Sequence, residues 1–487
     1  MPSRNFLWTA AAISLLGSIA ARADVTISKK PTQNMSCSGG VCTPTAQKAV
    51  LNATDLANML AGGDIKVTTG SGATNIVVKD AFSWTSASRL TLDAIQSVEF
   101  DKPVSVAGTG AVTIATNDGG KNGDLLFDSK GNLAFWDTSS SLVINGNSYM
   151  LVGDIKTLAA DIAANPSGSY ALANSYDASV DGIYASSPIP TIFTGALDGM
   201  GNVVSNLAIH FPSNGNGVII GLFSQIGAGG SVRDIVLAKV DIEGTQKFGT
   251  YGAIGPLAGG NGGYVGRCSA TGMVLLPGGA NASPAGLIGY NTGTVSSSSS
   301  AVAVSTTTDN SNAAGIVGVN EGSVLTSYAQ GRIAVLGESS VSGGLVGHNA
   351  GLVANSFAVN PVPRGHGCCE SLGGLIGKND TTGQITASYA AGTIHSGAHS
   401  QGFLGGLVGF DAAAGGNISS TYWDLDDGVS DPAQGAGNLK NDPGITGLTT
   451  LQLQSGLPPG FDPKIWTLNP SQNDGLPYLR SVPLKHP

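Results

Sequence analysis

The chain of 487 residues carries 23 basic and 32 acidic residues, which gives a formal net charge of −9. This acidity argues against nucleic acid and anionic membrane surfaces as partners, because both attract basic proteins. Only 11% of the residues are charged, 41% are hydrophobic and 72 are glycine, so the chain is apolar enough to bury a core and is not a disordered polymer.

The first 23 residues predict an exported protein. A basic start precedes an apolar run over residues 6–20, and the stretch from Ala21 to Ala23 forms a small-x-small cleavage site before Asp24. A membrane anchor is the alternative, but the apolar run is short for a bilayer span. Removal of residues 1–23 leaves 21 basic and 32 acidic residues, a balance of −11, and no later stretch that could span a membrane. We expect an extracellular or cell-surface location, with the periplasm as the alternative.

Residues 24–150 contain short runs that alternate apolar and polar residues, such as DIKVTT and RLTLDA, with Gly, Asn and Asp between them. This pattern predicts β-strands in coils of a β-helix, and a separate β-sandwich is the alternative. Cys37 and Cys42 could close a disulfide loop in an oxidising compartment, while free thiols or a metal site remain open. Residues 151–190 form a junction, in which residues 155–166 have helical spacing and end at a proline.

The downstream part of the chain is a repeat. A Gly-apolar-apolar-Gly pattern begins at glycines 286, 315, 344, 374 and 406, at intervals of 29, 29, 30 and 32 residues, and looser copies occur near residues 221 and 252. A fixed period of this size indicates a solenoid, because a unit of about 30 residues cannot bury its apolar face alone. The predicted fold is an all-β, right-handed parallel β-helix (solenoid) whose coils contain three strands each.

Three sets of residues recur at fixed offsets in each unit, and stacking at about 4.8 Å per coil would align each set along the axis. The aliphatic set is Leu287, Ile316, Leu345, Leu375 (with Ile376) and Leu407, the aromatic set is Tyr328, Phe357, Tyr389 and Tyr422, and the asparagine set is Asn291, Asn320, Asn349 and Asn379. We expect the asparagines to lie at a turn with left-handed backbone and to bond the identical amide one coil away.

The strand GGLVG-x-N followed by G-x-V/I-x-x-S-Y resembles the GLUG repeat over roughly residues 193–422. GLUG repeats occur in large secreted exoproteins and adhesin-like proteins of bacteria, many of them similar to filamentous haemagglutinin. The resemblance implies a β-helix over residues 191–425 and a C-terminal capping segment over residues 426–487. It implies a surface or secreted role, and no particular activity.

Candidate chemical residues are few. Asp424, Asp426, Asp427 and Asp431 could bind calcium, although EF-hand spacing is missing and an Asp-rich turn is the plainer interpretation. His395 and His399 have metal-like spacing in a Gly/Ser-rich loop, where two exposed histidines are the plainer interpretation. Cys268, Cys368 and Cys369 leave an odd thiol whose pairing the sequence does not determine. We therefore expect no cofactor, with calcium as the open alternative.

Glu321 and Asp380 are the candidate catalytic pair, because β-helices also carry polysaccharide lyases and glycosidases that use carboxylates from neighbouring coils. Each follows a repeat asparagine, two coils apart, at about 9.6 Å from the strand spacing. Acids at such solvated positions are common, and no basic cluster accompanies them. The favoured interpretation is a non-enzymatic, adhesin-like protein that presents an extended acidic surface to a host or bacterial surface glycan or protein.

Overall fold

The computed structural model describes residues 23–117, 120, 123–212, 217–244, 250–363, 370–395, 402–413 and 416–482. Strands make up 48% of the structure and helices 8%, and parallel coils stack into a β-solenoid of about ten turns. This confirms the predicted all-β solenoid. Residues 1–22 of the predicted signal peptide lie outside the described residues. Cys368, Cys369, His399 and the side chain of His395 also lie outside them.

The described residues of the first solenoid form one helix and fourteen strands. The helix is α1 (Ala53–Gly62), and the strands are β1 (Ala23–Ser28), β2 (Met35–Ser38), β3 (Val41–Pro44), β4 (Ala49–Asn52), β5 (Ile65–Thr68), β6 (Ala73–Val78), β7 (Phe82–Trp84), β8 (Arg89–Asp93), β9 (Val98–Phe100), β10 (Val104–Val106), β11 (Ala111–Ala115), β12 (Leu125–Phe127), β13 (Leu133–Phe135) and β14 (Ser141–Ile144).

The coils that begin at β6, β9 and β12 each contribute one strand to each of three sheets. The strands β6, β7 and β8 of one coil pair in parallel with β9, β10 and β11 of the next. The predicted alternation is present: in β8, Leu90 and Leu92 are buried while the residues between them are partly exposed. Helix α1 packs Leu56 and Leu60 onto this core, and Asn52 caps its first turn by accepting two backbone N–H bonds.

The second solenoid begins with β15 (Asn147–Val152) and α2 (Ile155–Ala164), which lies in the predicted junction. Its first coils contain β16 (Ser169–Leu172), β17 (Tyr176–Asp177), a 3₁₀ helix (Ala178–Asp181), β18 (Ile183–Tyr184), β19 (Ala196–Asp198), β20 (Val203–Ser205), β21 (Ala208–Phe211), β22 (Val218–Ile220), β23 (Phe223–Ile226), β24 (Ser231–Arg233), β25 (Val236–Gly244), β26 (Thr250–Ile254), β27 (Ala258–Asn261), β28 (Tyr264–Gly266) and β29 (Ser269–Leu276).

The later coils contain β30 (Ala280–Pro284), β31 (Ile288–Asn291), β32 (Thr294–Ser296), β33 (Ser299–Thr306), β34 (Asn312–Ala314), β35 (Val317–Asn320), β36 (Ser323–Leu325), β37 (Tyr328–Ala329), β38 (Ile333–Val335), β39 (Val341–Gly343), β40 (Val346–Asn349), β41 (Leu352–Ala354), β42 (Phe357–Ala358), β43 (Val362–Pro363), β44 (Ser371–Gly373), β45 (Ile376–Asn379), β46 (Gln384–Thr386), β47 (Tyr389–Ala390), β48 (Ile394–His395), β49 (Phe403–Gly405), β50 (Val408–Asp411), β51 (Ile418–Ser419), β52 (Thr421–Asp424) and β53 (Ile445–Leu448).

A β-hairpin joins the two solenoids. The strands β14 and β15 pair antiparallel, and the turn between them contains Asn145 and Gly146, both with positive φ. Asn-Gly with this backbone is typical of a type I′ hairpin turn, whose twist matches the flanking strands. The chain therefore reverses direction within one sheet while the strand order continues along it.

The hydrophobic core changes face at the same hairpin. Leu142 and Leu151 belong to the core of the first solenoid, whereas Val152 and Leu172 belong to the core of the second. In β16 the alternate residue, Ala171, still faces the first core, so β15 and β16 form a wall between the two cores. Because strand direction and inner face reverse together, both solenoids wind with the same hand.

One sheet runs through both solenoids, and we call it the long sheet. Its sixteen strands follow the order β2-β3-β5-β8-β11-β14-β15-β16-β19-β24-β28-β32-β36-β41-β46-β51. At about 4.8 Å per strand the long sheet extends about 70 Å.

Each full repeat coil contains four or five short strands instead of the predicted three. The Gly-rich run divides at a corner, so the coil that begins at β39 continues with β40, β41, β42 and β43. A Cβ atom at Gly344 would lie 2.1 Å from the carbonyl oxygen of Gly374, and Gly315 meets Gly344 in the same way at 2.2 Å. The repeated glycines are therefore required by close coil-to-coil approach at this corner.

The sequence predicts that the C-terminal segment caps the end of the solenoid. In the structure this segment also covers one side of the solenoid. Strand β53 adds one more rung beside β52. Residues 449–482, which we call the strap, then fold back along the side of the solenoid through α3 (Thr450–Ser455), β54 (Trp466–Thr467), a 3₁₀ helix (Asn473–Gly475) and β55 (Tyr478–Leu479). None of the helices in the described part of the chain has the length and apolar character that a membrane crossing requires.

Candidate functional site

The repeat asparagines form a buried ladder of amides. Each donates from Nδ2 to the Oδ1 of the next at 2.7–2.9 Å, in the order Asn261, Asn291, Asn320, Asn349, Asn379 and finally Asp411. The predicted amide-to-amide bond is present, and Asn261 and Asp411 extend it at both ends. The predicted left-handed backbone is wrong: these asparagines end β-strands, and none of them has a positive φ.

Left-handed residues occupy a different corner, between the long sheet and the next strand. The residues with positive φ there are Arg267, Ser297, Thr326, Asn355, Ala387 and Ser420. Directly after this corner a buried hydroxyl accepts the backbone N–H of the previous coil, as when Ser327 N donates to Ser356 Oγ at 3.1 Å. Cys268 takes this position in its own coil, where it is buried and free, and burial raises its pKa.

The aliphatic and aromatic sets are both buried, but in different places. Leu287, Ile316, Leu345, Leu375 and Leu407 belong to the inner core of the second solenoid. Tyr328, Phe357, Tyr389 and Tyr422, the aromatic ladder, lie on the outside of the coils under the strap. Adjacent rings of Tyr328, Phe357 and Tyr389 stack at 4.9 and 5.1 Å between centroids.

The outer face of the long sheet in the repeats carries no charged side chain in β28, β32, β36, β41, β46 and β51. Most of the outward residues on this face are at least partly exposed. They are Tyr264, Thr294, Ser296, Ser323, Leu325, Leu352, Ala354, Gln384, Thr386 and Ser419. Residues 250–413 contain six acidic and four basic residues in all. The acidic surplus predicted for the extended surface therefore lies mainly outside the repeats.

The two residues of the candidate catalytic pair have different surroundings. Glu321 is exposed and begins the turn after its ladder asparagine. Asp380 lies 3.1 Å from His348 Nε2 and 3.8 Å from Lys378 Nζ, so it has two basic side chains as neighbours. The rung of Asn349 lies between the rungs that precede Glu321 and Asp380. The two residues are therefore two strand spacings apart along the ladder, as the sequence predicted.

The candidate calcium ligands hold the start of the strap. Asp424 is buried and accepts the Thr450 hydroxyl at 2.8 Å, and Asp426 accepts the Thr450 backbone N–H at 2.9 Å. Asp431 instead accepts the N–H of Ala433. In the described residues no group of three or more His, Cys, Asp or Glu side chains is placed to hold a metal ion.

A disulfide joins Cys37 and Cys42, which face each other across the β2–β3 hairpin at the start of the long sheet. Both residues belong to the antiparallel register of this hairpin, so the bond closes its turn. It lies far along the sheet from the repeats.

A charge cluster that no sequence pattern predicted lies where the two solenoids meet. Arg267 of the second solenoid binds Asp234 through two bonds of 2.7 Å and also binds Asp124 of the first solenoid at 2.7 Å. Arg233 binds the same Asp124. Asp198 completes the cluster, and burial together with the charge of Asp234 raises its pKa to about 7.

These five residues are up to 143 positions apart in the chain, so no local motif reveals them. The one available signal is positional: Asp234 and Arg267 stand at the corner where later repeats carry Ser, Thr, Asn or Ala. Because Arg267 is only 15% exposed and reaches both solenoids, the cluster helps to fix their relative position, together with backbone hydrogen bonds such as that from Leu133 to Met200.

Two cavities flank the cluster. One of about 220 Å³ is lined by Asp124, Tyr149, Asp198 and Arg233 and is mainly polar. The other, of about 420 Å³, lies between Phe127 of the first solenoid and the end of the strap at Val482.

No protein-family model matches the chain. A curated relative, halomucin of Haloquadratum walsbyi, is 34% identical over 149 residues, which is 28% of this chain and 2% of halomucin. The chain therefore corresponds to a very small part of that protein's length.

A crystal structure from Bacteroides ovatus, provisionally described as an immunoglobulin A1 protease, matches 69% of this chain and 93% of that chain. The sequence identity is 14% and the TM-score is 0.39.

Proposed function

We propose that the protein is an exported β-helical structural protein of adhesin-like type, which makes contact through the outer face of the long sheet. The observation that carries this proposal is the uncharged Ser/Thr-rich face that continues over successive repeats. The predicted signal peptide, the disulfide and the resemblance to GLUG-repeat exoproteins support the same proposal. The expected partner is a glycan or protein on a host or bacterial surface.

The first experiment locates the epitope-tagged protein among cytoplasm, periplasm, cell surface and medium. We expect it at the surface or in the medium. Retention in the cytoplasm would contradict the proposal.

The second experiment separates a contact surface from an enzyme. Purified protein is screened against plant and bacterial polysaccharides for binding, for new reducing ends and for unsaturated products, alongside the double variant Glu321→Gln/Asp380→Asn. We expect binding that both proteins share and no turnover. Turnover that the double variant abolishes would instead favour the alternative, a β-helix polysaccharide lyase or glycosidase.

Binding in this screen should change little between low and high salt, because an uncharged face has no long-range attraction for salt to screen. An acidic contact surface would show a clear dependence on ionic strength. The salt series therefore distinguishes the face of the long sheet from the acidic parts of the molecule.

A further inference from the structure

The C-terminal part of the chain contains three Asp-Pro pairs, and one of them differs from the others. Asp431 and Asp462 each accept the backbone N–H of the residue two positions on, at 3.0 and 2.8 Å, and both are at least partly exposed. These are ordinary Asx turns, in which the carboxylate has a partner. Asp442 makes no such bond.

Asp442 is buried without a donor. It begins the turn Asp442–Ile445, in which Gly444 has a φ of +88° and the Ile445 N–H points to the Asp442 carbonyl oxygen. The side chain is 3% exposed, and no hydrogen-bond donor in the described residues reaches either carboxylate oxygen. A buried carboxylate without a donor is costly, so the group requires a compensating partner.

The group that Asp442 faces is another carboxyl, that of Asp411. Asp411 is 1% exposed and ends the asparagine ladder, accepting Nδ2 of Asn379 at 2.9 Å. The side chain of Asn438 is already occupied, because it bonds both the backbone N–H and the carbonyl of Asp411. Two adjacent buried carboxyls cannot both be ionised without a large cost.

The charged groups around the pair do not neutralise it. Lys440 faces Asp431 at 3.9 Å with most of its side chain in solvent. Asp424 and Asp426, on the neighbouring strand and the turn after it, are directed to Thr450. Burial, followed by the charge of Asp411, raises the pKa of Asp442 to about 7.

We propose that Asp411 and Asp442 share one proton, and that this carboxylic acid–carboxylate bond is a pH-sensitive lock between the last coil and the closing turn. The lock holds residues 442–448, which include β53 and lead into the strap. Its stabilising effect is complete below the ordinary aspartate pKa of 3.8 and is lost as the pH rises through about 7, because only the unfolded form ionises freely in that interval.

The test compares the thermal midpoint of the full chain with that of Asp442→Asn and of Asp411→Asn between pH 4 and pH 9. An amide at either position donates to the remaining carboxylate and does not titrate. We expect the wild-type midpoint to fall relative to both variants as the pH rises from 5 to 8 and to level off above that. Hydrogen exchange of residues 442–448, corrected for intrinsic rates, should accelerate over the same interval in the wild type alone.

Asp431→Asn and Asp462→Asn are the matched controls, because each keeps its Asx turn, and their pH profiles should follow the wild type. Parallel profiles for wild type and Asp442→Asn would overturn the proposal. So would a rise of the wild-type midpoint at pH 8 on addition of calcium that Asp442→Asn does not show, since a bound cation would then replace the shared proton.

Discussion

Single residues in the repeats have roles that depend on which side of the coil wall they occupy. Leu345 lies in the inner core with no exposed surface, and its backbone N–H donates to Leu375 of the next coil. His348, three residues later in the same run, points outward and contacts Asp380 at the surface. One short stretch thus contains both a core position and a surface position.

Leu345→Asp should destabilise the protein by more than about 4 kcal/mol, because it would bury an unpaired charge among stacked aliphatic side chains. His348→Ala should change the free energy of unfolding by no more than about 0.5 kcal/mol, since a partly exposed polar contact at the surface contributes little. Chemical denaturation of both variants measures the difference. Equal losses at the two positions would contradict the inward and outward assignment.

The strap and the aromatic ladder stabilise each other as elements. Within β37, Ala329 faces the inner core while Tyr328 faces outward, so the ladder would be an exposed apolar ridge without its cover. Trp466 supplies the cover, with its ring 5.9 Å from those of Phe357 and Tyr389 and 4.4 Å from that of Phe461. The Tyr389 hydroxyl also donates to the carbonyl of Pro477 at 2.6 Å.

Trp466→Ala should weaken the docking of the strap by about 3–5 kcal/mol, because it empties the centre of this cluster. Limited proteolysis and hydrogen exchange should show residues 449–482 released while the inner coils stay protected. Leu451→Ala is the control, since Leu451 is 75% exposed on the same segment, and it should leave the strap protected. If the strap and the inner coils of Trp466→Ala lost protection together, the strap would not be a separate element.

The complete protein is held by repetition along each solenoid and by specific contacts between the two solenoids, among them the Arg267 cluster and the backbone hydrogen bonds from Leu133 to Met200 and from Phe135 to Ala173. The ladders repeat every 29–32 residues, so each coil interacts chiefly with its two neighbours. The contacts between the two solenoids, in contrast, do not repeat along the axis. Stability along the axis should therefore add up coil by coil.

Deletion of residues 315–343 should remove one coil and leave a folded, shorter protein. Ala314 pairs with Gly343 in register, so the new junction joins equivalent positions and Asn291 meets Asn349 in the ladder. We expect a rod shorter by about 4.8 Å, β-rich circular dichroism and a graded loss of surface contact. Small-angle scattering and binding measurements check this.

Deletion of residues 315–329 alone is the control for this experiment. It removes half a coil and brings inward and outward positions out of register, so it should unfold the repeats. If both deletions were tolerated equally, the coil would not be the unit of the structure.

The fold class and the repeat residues followed from the sequence because they are periodic. A residue that recurs every 29 or 30 positions can stack only on its own equivalents, so Leu345 and Asn349 were identified without coordinates. The glycine corner and the buried asparagine ladder follow from the same periodicity. The ladder's backbone conformation was mispredicted, because asparagine also suits a strand end when its amide is bonded from both sides.

The rest depended on contacts between distant parts of the chain, which carry no period. The reversal at Asn145–Gly146 and the change of inner face require knowledge of both cores. The strap lies against the aromatic ladder because Trp466 and Tyr389 meet across 77 residues of sequence, and Asp124 meets Arg267 across 143. Asp411 and Asp442 become a carboxyl pair only where the ladder ends, since at every earlier rung from Asn261 to Asn379 the side chain is an amide that can donate.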